Sequence, residues 1–298
     1  MKKLAMPAAA AAMAMVCVAP AALAGEGGGS SYPGGVENFL TGAAPPPGFY
    51  VLEYGNVYRA DKLKDGSGNT IPLPVFNVAA DVAATRFVWS TTTMVAGGNV
   101  VYHAIVPLVG LKVEVPGLAQ RKTGLGDITF GPAISFHHSP SLHSVLGLDV
   151  VAPVGRYAKT DVANIGRNYW SIQPLYTVSY IDAAGFNGDF KLTGNFSRRN
   201  SDTDYKSGNE VYLDYSAGWG LGNGWVLGAG GYAMRQLTSD SQSGASLADS
   251  KGAAFAFGPS LKYDNGKGWF LTAKWTREMS VRNRPEGSAL WIKTILPF

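Results

Sequence analysis

Trp291-Ile292-Lys293-Thr294-Ile295-Leu296-Pro297-Phe298 closes the chain, and its reading decides the fold. Counting back from Phe298, every second residue (Leu296, Thr294, Ile292, Leu290) is tolerable in lipid. The intervening positions include Lys293, which is not. A period of two with one apolar face is a strand, and a strand ending on an aromatic ring suits the interfacial girdle of a membrane barrel. The stretch therefore reads as the last strand of a bacterial outer-membrane β-barrel, with Phe298 as the handle for the barrel-assembly machinery.

The opposite end reads as a secretory signal, residues 1–24. Lys2 and Lys3 begin it, an Ala/Met/Val run follows, and Ala22-Leu23-Ala24 is a small-x-small cleavage site before Gly25. The single cysteine, Cys17, lies inside it, so the mature chain carries neither disulfides nor thiolate chemistry. Without Lys2 and Lys3, 23 of the 25 basic residues face 21 acidic ones, a net charge of +2. That balance gives no basic field for nucleic acid. Past the signal no apolar run reaches about 18 residues, which excludes membrane helices. A chain that crosses lipid on strands must close them, since hydrocarbon cannot satisfy a sheet edge. The 38 glycines and 14 tyrosines fit such a barrel.

Strand patterning runs through the interior. In Glu210–Leu221, the residues Val211, Leu213, Tyr215, Ala217, Trp219 and Leu221 share one face and Glu210, Tyr212, Asp214 and Ser216 the other. Phe190–Ser197 and Asp127–His137 alternate as clearly. In the first strand Tyr50, Leu52, Tyr54 and Tyr58 read outward, which leaves Glu53 and Arg59 inside. Asp81 and Arg86 fall on opposite parities, which predicts a bulge near Ala83-Ala84. Connections alternate long (61–75, 116–123, 155–166, 198–208, 238–251, 282–287) and short (92–98, 139–141, 182–185, 222–224, 264–268). Short turns belong to the periplasmic side and long loops to the outside. Twelve strands with both ends periplasmic result, with ten or fourteen as alternatives. At 4.8 Å spacing and about 40° tilt the backbone radius is about 12 Å, so side chains narrow the lumen to a polar passage or pocket. Residues 25–47, rich in Gly and Pro, read as a periplasmic extension, with a turn of helix at 36–40, or as a plug entering the lumen from below. The barrel proper is 48–298.

Several motifs resemble one family. Tyr32-Pro33-Gly34-Gly35-Val36-Glu37-Asn38-Phe39 and Pro45-Pro46-Pro47-Gly48-Phe49-Tyr50 are similar to its opening. Gly124-Leu125-Gly126-Asp127, Gly131-Pro132 and Val150-Val151-Ala152-Pro153-Val154-Gly155-Arg156-Tyr157 are similar to its centre, as are Asn168-Tyr169-Trp170 and Gly258-Pro259. It is the family of the meta-pathway of phenol degradation, and the resemblance covers residues 32–298. It implies an outer-membrane barrel that admits aromatic or other hydrophobic compounds, and it carries over no catalytic or binding residue.

The charges assigned to the inner face are Glu53, Arg59, Asp127, Asp149, Asp189, Lys191, Glu210, Asp214, Lys262, Lys274 and Lys293. In a narrow lumen they form a stiffening salt-bridge network or a constriction that orients solutes. His137 opposes His143 across a hairpin as a candidate lumen pair, but a metal needs a third ligand to which nothing in the sequence points. His137-His138-Ser139 has a spacing usable by a lipid hydrolase, yet it falls on a periplasmic turn and inward, the wrong place for that chemistry. Gly228-Ala229-Gly230-Gly231-Tyr232-Ala233 imitates a dinucleotide fingerprint without the helix and acidic residue that one needs, so no cofactor is expected. Tyr50, Trp170, Tyr180, Tyr215, Trp219 and Tyr263 read as girdle residues. The expected function is passive uptake of small hydrophobic solutes across the Gram-negative outer membrane, without enzymatic activity. The expected partners are membrane lipid, lipopolysaccharide and the solute. A structural or binding barrel, or a membrane-embedded hydrolase using Ser139, is the alternative.

Overall fold

The computed structural model describes residues 24–296. The expected signal segment with Cys17, up to residue 23, and Pro297-Phe298 lie outside the described residues. β-branched and aromatic residues at period two build long antiparallel strands: β1 (Gly48–Leu63), β2 (Asn77–Val95), β3 (Gly98–Val115), β4 (Leu118–Leu125), β5 (Ile128–His137), β6 (Leu142–Ala152), β7 (Ser171–Tyr180) and β8 (Phe186–Ser197). After a short β9 (Tyr205–Lys206) come β10 (Glu210–Gly220) and β11 (Trp225–Gln236). Two further short strands, β12 (Ser241–Gln242) and β13 (Ala245–Ser246), precede β14 (Ala253–Asp264), β15 (Phe270–Arg282) and β16 (Pro285–Leu296).

The wall has twelve strands, because β4 and β5 are successive parts of one strand, both paired to β3. Each wall strand pairs with its neighbour in sequence, and β1 meets β16 from Val51↔Leu296 to Leu63↔Pro285, which closes the ring and leaves no edge. The short β9, β12 and β13 form a separate three-stranded sheet within the long loops. In β16, Leu290, Ile292 and Leu296 face outward while Ala289, Trp291, Lys293 and Ile295 are buried, as the period-two reading of the ending requires.

Three local expectations are corrected. First, β1 is phased the other way: Tyr54 and Tyr58 bond to lumen groups, while Arg59 points outward, half exposed, in an ion pair of 2.7 Å with Asp81. Glu53 lies on that same outer face, accepting a hydrogen bond from Thr85. Glu53 and Arg59 are therefore not lumen-lining, and Tyr50 falls on the inner parity, not in a girdle. Second, β1 and β2 pair without a break from Gly48↔Ser90 to Ala60↔Val78, so no bulge sits at Ala83-Ala84. Asp81 and Arg86 take opposite faces because each has its own partner; the register shift lies between Ser90 and Met94, against β3. Third, the β3–β4 and β15–β16 connections are tight turns on the long-loop side. With 19 and 18 residues, β2 and β3 exceed the 9–11 a tilted span needs, so their ends project beyond the membrane as a hairpin.

The short-turn end carries an aromatic belt in which Tyr180 packs on Phe186, Trp225 on Tyr263 and Tyr263 on Trp269. Trp219 and Trp170 are exposed on the outer wall, and Tyr215 shares their outward face. The Gly228–Ala233 run is plain strand within β11. A Cβ on Gly231 would lie 1.8 Å from the Ala256 carbonyl oxygen, so the glycines serve close strand approach.

Candidate functional site: the threaded lumen

Residues 24–47 do not hang below the barrel; they run through it. The first described residues lie among the long loops, where Ala24 N donates to the Asn283 carbonyl and Gly25 N to Asp240 Oδ2 at 2.9 Å. Glu26 accepts from Tyr157, Asn200 and Thr203, all in long loops. The other end reaches the short-turn side, where Gly42 N donates to Ser179 Oγ, and Gly48 begins β1. The segment thus enters at the outer mouth and descends, opposite to a plug rising from the periplasm. In place of the expected helical turn at 36–40, Leu40 has φ 68° and no helix forms there.

Pairing across the lumen explains this path. The only carboxylates in the segment are Glu26 and Glu37, and each finds its partners inside the barrel. Glu37 is buried at 3.2 Å from Lys293, 3.4 Å from Arg86 and 3.8 Å from Lys191, and its carbonyl accepts from Lys274. Burying one carboxylate among several cations is tolerable only because the attraction offsets the lost hydration. Tyr32 donates to Asp214, whose other oxygen accepts from Gly35 N at 2.6 Å. Lower down, Thr41 N donates to Asp189 Oδ1 at 2.9 Å and the Thr41 and Thr177 hydroxyls meet at 2.7 Å. Nearer the outside, Ser30 donates to Glu210, and Ser31 to Ser171 and Asn195.

Between these polar anchors the segment packs by shape. Tyr32, Tyr212, Tyr232, Met234, Ala254, Ala256 and Val281 form a buried cluster, with Val36 against it. Lys191 Nζ lies 5.2 Å from the Tyr32 ring centroid, a cation–π contact. The Pro33–Val36 turn is closed by Val36 N to Pro33 O, with Gly35 at φ 83°. A Cβ on Gly34 would come within 2.8 Å of the Tyr232 ring, so the Gly-Gly pair lets the backbone lie against that ring.

Asp149, Asp189, Lys191, Glu210, Asp214, Lys262, Lys274 and Lys293 are all buried on the inner face. Asp127 sits at the break between β4 and β5, accepting from Gly155 N and Arg167 N, and so pins the loop 153–170 across the mouth. His137 and His143 are register partners with Nδ1 atoms 2.8 Å apart. Among the described residues no group of three or more His, Cys, Asp or Glu is placed to hold a metal. His138 bonds Ser144, and Ser139 Oγ accepts from Ser141 N and Leu142 N, a turn-capping role. Sequence reasoning missed Glu37, the His103–Asp149 pair at 2.8 Å, and Glu278, which receives Tyr58 and Tyr232. It also missed Arg284, 3.4 Å from Glu210. The available signal was an inner face rich in lysine with a lone acidic residue between Val36 and Phe39.

The lumen wall is divided. Inner faces of β7, β8, β10, β14 and β15 are polar and grip the threaded segment through Ser179, Asp189, Lys191, Asn195, Glu210, Asp214, Ser260 and Lys274. On β2, β3 and β6 the inner positions include Val82, Ala84, Val88, Val101, Ile105, Val109, Val145 and Val151, interrupted by Ser90, Arg86 and the His103–Asp149 pair. Val82, Ile105 and Val109 are only half-buried, so the segment does not seal that side.

Residues 60–294 match the sequence profile of the family described as "Putative MetA-pathway of phenol degradation". The chain belongs to that family. Among solved structures, this phenol-degradation family member is similar to an outer membrane channel from Pseudomonas putida F1, at 15% identity with a TM-score of 0.78 over 88% of this chain and 100% of that one. That likeness identifies the fold as an outer-membrane barrel. A weaker likeness, TM-score 0.41 at 8% identity over 84% of this chain and 88% of the other, is to the CymD monoaromatic hydrocarbon channel. No curated protein sequence matches the chain.

Proposed function

We propose that the protein is a passive outer-membrane channel for small hydrophobic, including aromatic, compounds. The observation that carries this reading is the divided lumen. A polar half-wall holds the threaded segment in place, and the apolar half-wall of β2, β3 and β6 stays open beside it. An apolar solute moving along Val82, Ile105 and Val109 passes Arg86 but otherwise meets few groups that must stay hydrated, which lowers its barrier to passage. The family's tie to phenol degradation fits such a solute. The channel assigned to the Pseudomonas putida relative is consistent with transport by this fold. The reading is non-enzymatic, and the flow follows the solute gradient. Lipid, lipopolysaccharide and the assembly machinery are its proposed partners.

The test is uptake of labelled phenol, toluene and a polar control by cells with the protein, without it, and with Ile105→Glu. Faster entry of the apolar solutes that is lost in the deletion strain and in Ile105→Glu supports the reading. Equal entry in all three strains overturns it and favours a structural or binding barrel.

A further inference from the structure

Asp240 is fully buried in the loop between β11 and β14 at the outer mouth. Its carboxylate accepts from Gly25 N at 2.9 Å, Gly208 N at 2.6 Å, Gln236 Nε2 at 2.7 Å and Tyr205 OH at 2.5 Å. Its own N–H donates to Ser250 Oγ. Every side-chain donor in this cradle is neutral, and among the described residues no Lys, Arg or His side chain forms an ion pair with Asp240. A buried carboxylate without a counter-charge is costly; Glu37 and Glu210 each have a cation within ion-pair distance, whereas Asp240, like Asp189 and Asp214, is held by neutral donors. One of the four donors is the nitrogen of Gly25, the residue that follows the small-x-small motif Ala22-Leu23-Ala24.

We propose that this cradle is a binding site for a primary ammonium group, and that its ligand is the α-ammonium of Gly25 released when the signal is removed. Water hydrolyses the Ala24–Gly25 peptide bond: hydroxide adds to the Ala24 carbonyl carbon, the C–N bond breaks, and the Gly25 nitrogen leaves as an amine that takes up a proton. The peptide nitrogen offers Asp240 one proton, whereas the ammonium offers three and a full positive charge. Processing therefore adds a positive charge to the outer anchor of the threaded segment, and an unprocessed chain holds it by the peptide hydrogen bond alone. An order of events follows. Ala24 is fully buried against Gly252, so the scissile bond is accessible only before the barrel closes around it, and cleavage precedes closure.

The experiment uses the mature protein purified from outer membranes. N-terminal sequencing is expected to begin at Gly25; any other first residue overturns the proposal. The native barrel is then treated at neutral pH with an amine-acetylating ester, and modification is followed on the chymotryptic Gly25–Phe39 peptide, which contains no lysine. A buried, ion-paired ammonium is expected to react about tenfold or more slowly than the same amine in denatured protein. Equal rates overturn the proposal without any variant. Asp240→Asn, where it folds, is expected to restore fast acetylation and expose residues 25–32 to protease. Unchanged protection in that folded variant also counts against the ammonium site.

Discussion

Replacing Glu37 by Gln removes the one negative charge that Lys293, Arg86 and Lys191 share, while keeping side-chain volume. At an effective dielectric constant of about 20, unit charges separated by the observed 3.2, 3.4 and 3.8 Å attract by roughly 4–5 kcal/mol per pair. Desolvation offsets most of that sum. Removing one partner of a buried pair costs about 3–5 kcal/mol, because the cations left behind are uncompensated. The cost falls on seating the threaded segment, since all three cations sit on wall strands that pair correctly without it. The docked-to-undocked ratio is then expected to fall by roughly two to four powers of ten. In planar bilayers Glu37→Gln should raise the resting conductance, and protease should cut within residues 25–47. Adding Lys293→Met, which removes one orphaned cation, should recover part of the loss. A folded Glu37→Gln barrel with wild-type conductance and an uncut segment would refute the argument that this charge cluster seats the segment.

Deleting residues 25–47 should raise conductance more than any point substitution, because the backbone radius of about 12 Å is then obstructed only by wall side chains; bilayer recordings decide it. Tyr32→Phe leaves the buried Asp214 short of one donor and should loosen the segment by about 1–3 kcal/mol, read as faster chymotryptic cleavage after Phe39. Gly231→Val should block barrel assembly, since its Cβ would meet the Ala256 carbonyl oxygen, and the heat-modifiable gel shift of folded barrels should vanish. The loop 153–170 should stay docked in mild acid. Hydrogen bonds from Lys122 and Gln120 hold the Asp161 carboxyl below its ordinary range, so its contribution is present above the unfolded value and is lost only as pH falls through the lower folded one. The protection of the loop, taken relative to the intrinsic exchange rate at each pH, should therefore be the same at pH 5 as at pH 7; protection that falls at pH 5 to that of Asp161→Ala would contradict this.

The sequence made the closed barrel legible because β8, β10 and β16 place polar and apolar residues at period two with little ambiguity. β1 faces opposite to its sequence pattern for a physical reason. The alternation rule assumes lipid outside and water inside, but the lumen beside Tyr54 and Tyr58 is occupied by packed side chains. Arg59 and Asp81, in turn, pair on the outer face, where β2 is long enough to leave the lipid. Most of the inner charges on β8, β10, β14, β15 and β16 could be read from parity; what they bind could not. Glu37 lies 256 residues from Lys293 and 49 from Arg86, and no local pattern joins them. The Gly/Pro composition of residues 25–47 marked the segment as irregular. Its downward course through the lumen follows from hydrogen bonds to strands far along the chain.

On the proposed route apolar solutes pass beside a segment threaded through the lumen, and the absence of cysteine from residues 25–298 permits a direct measurement. Thr41→Cys with Thr177→Cys, and Ser31→Cys with Ser171→Cys, place thiols where hydroxyls now meet at 2.7 and 2.9 Å, tying the segment to the wall at two heights. Labelled toluene uptake is then compared in oxidised and reduced cells. Passage along the open apolar half-wall predicts that uptake survives the cross-links and stays above that of the deletion strain. Uptake that falls to the deletion level on oxidation and returns on reduction would contradict that route and require the segment to leave the lumen.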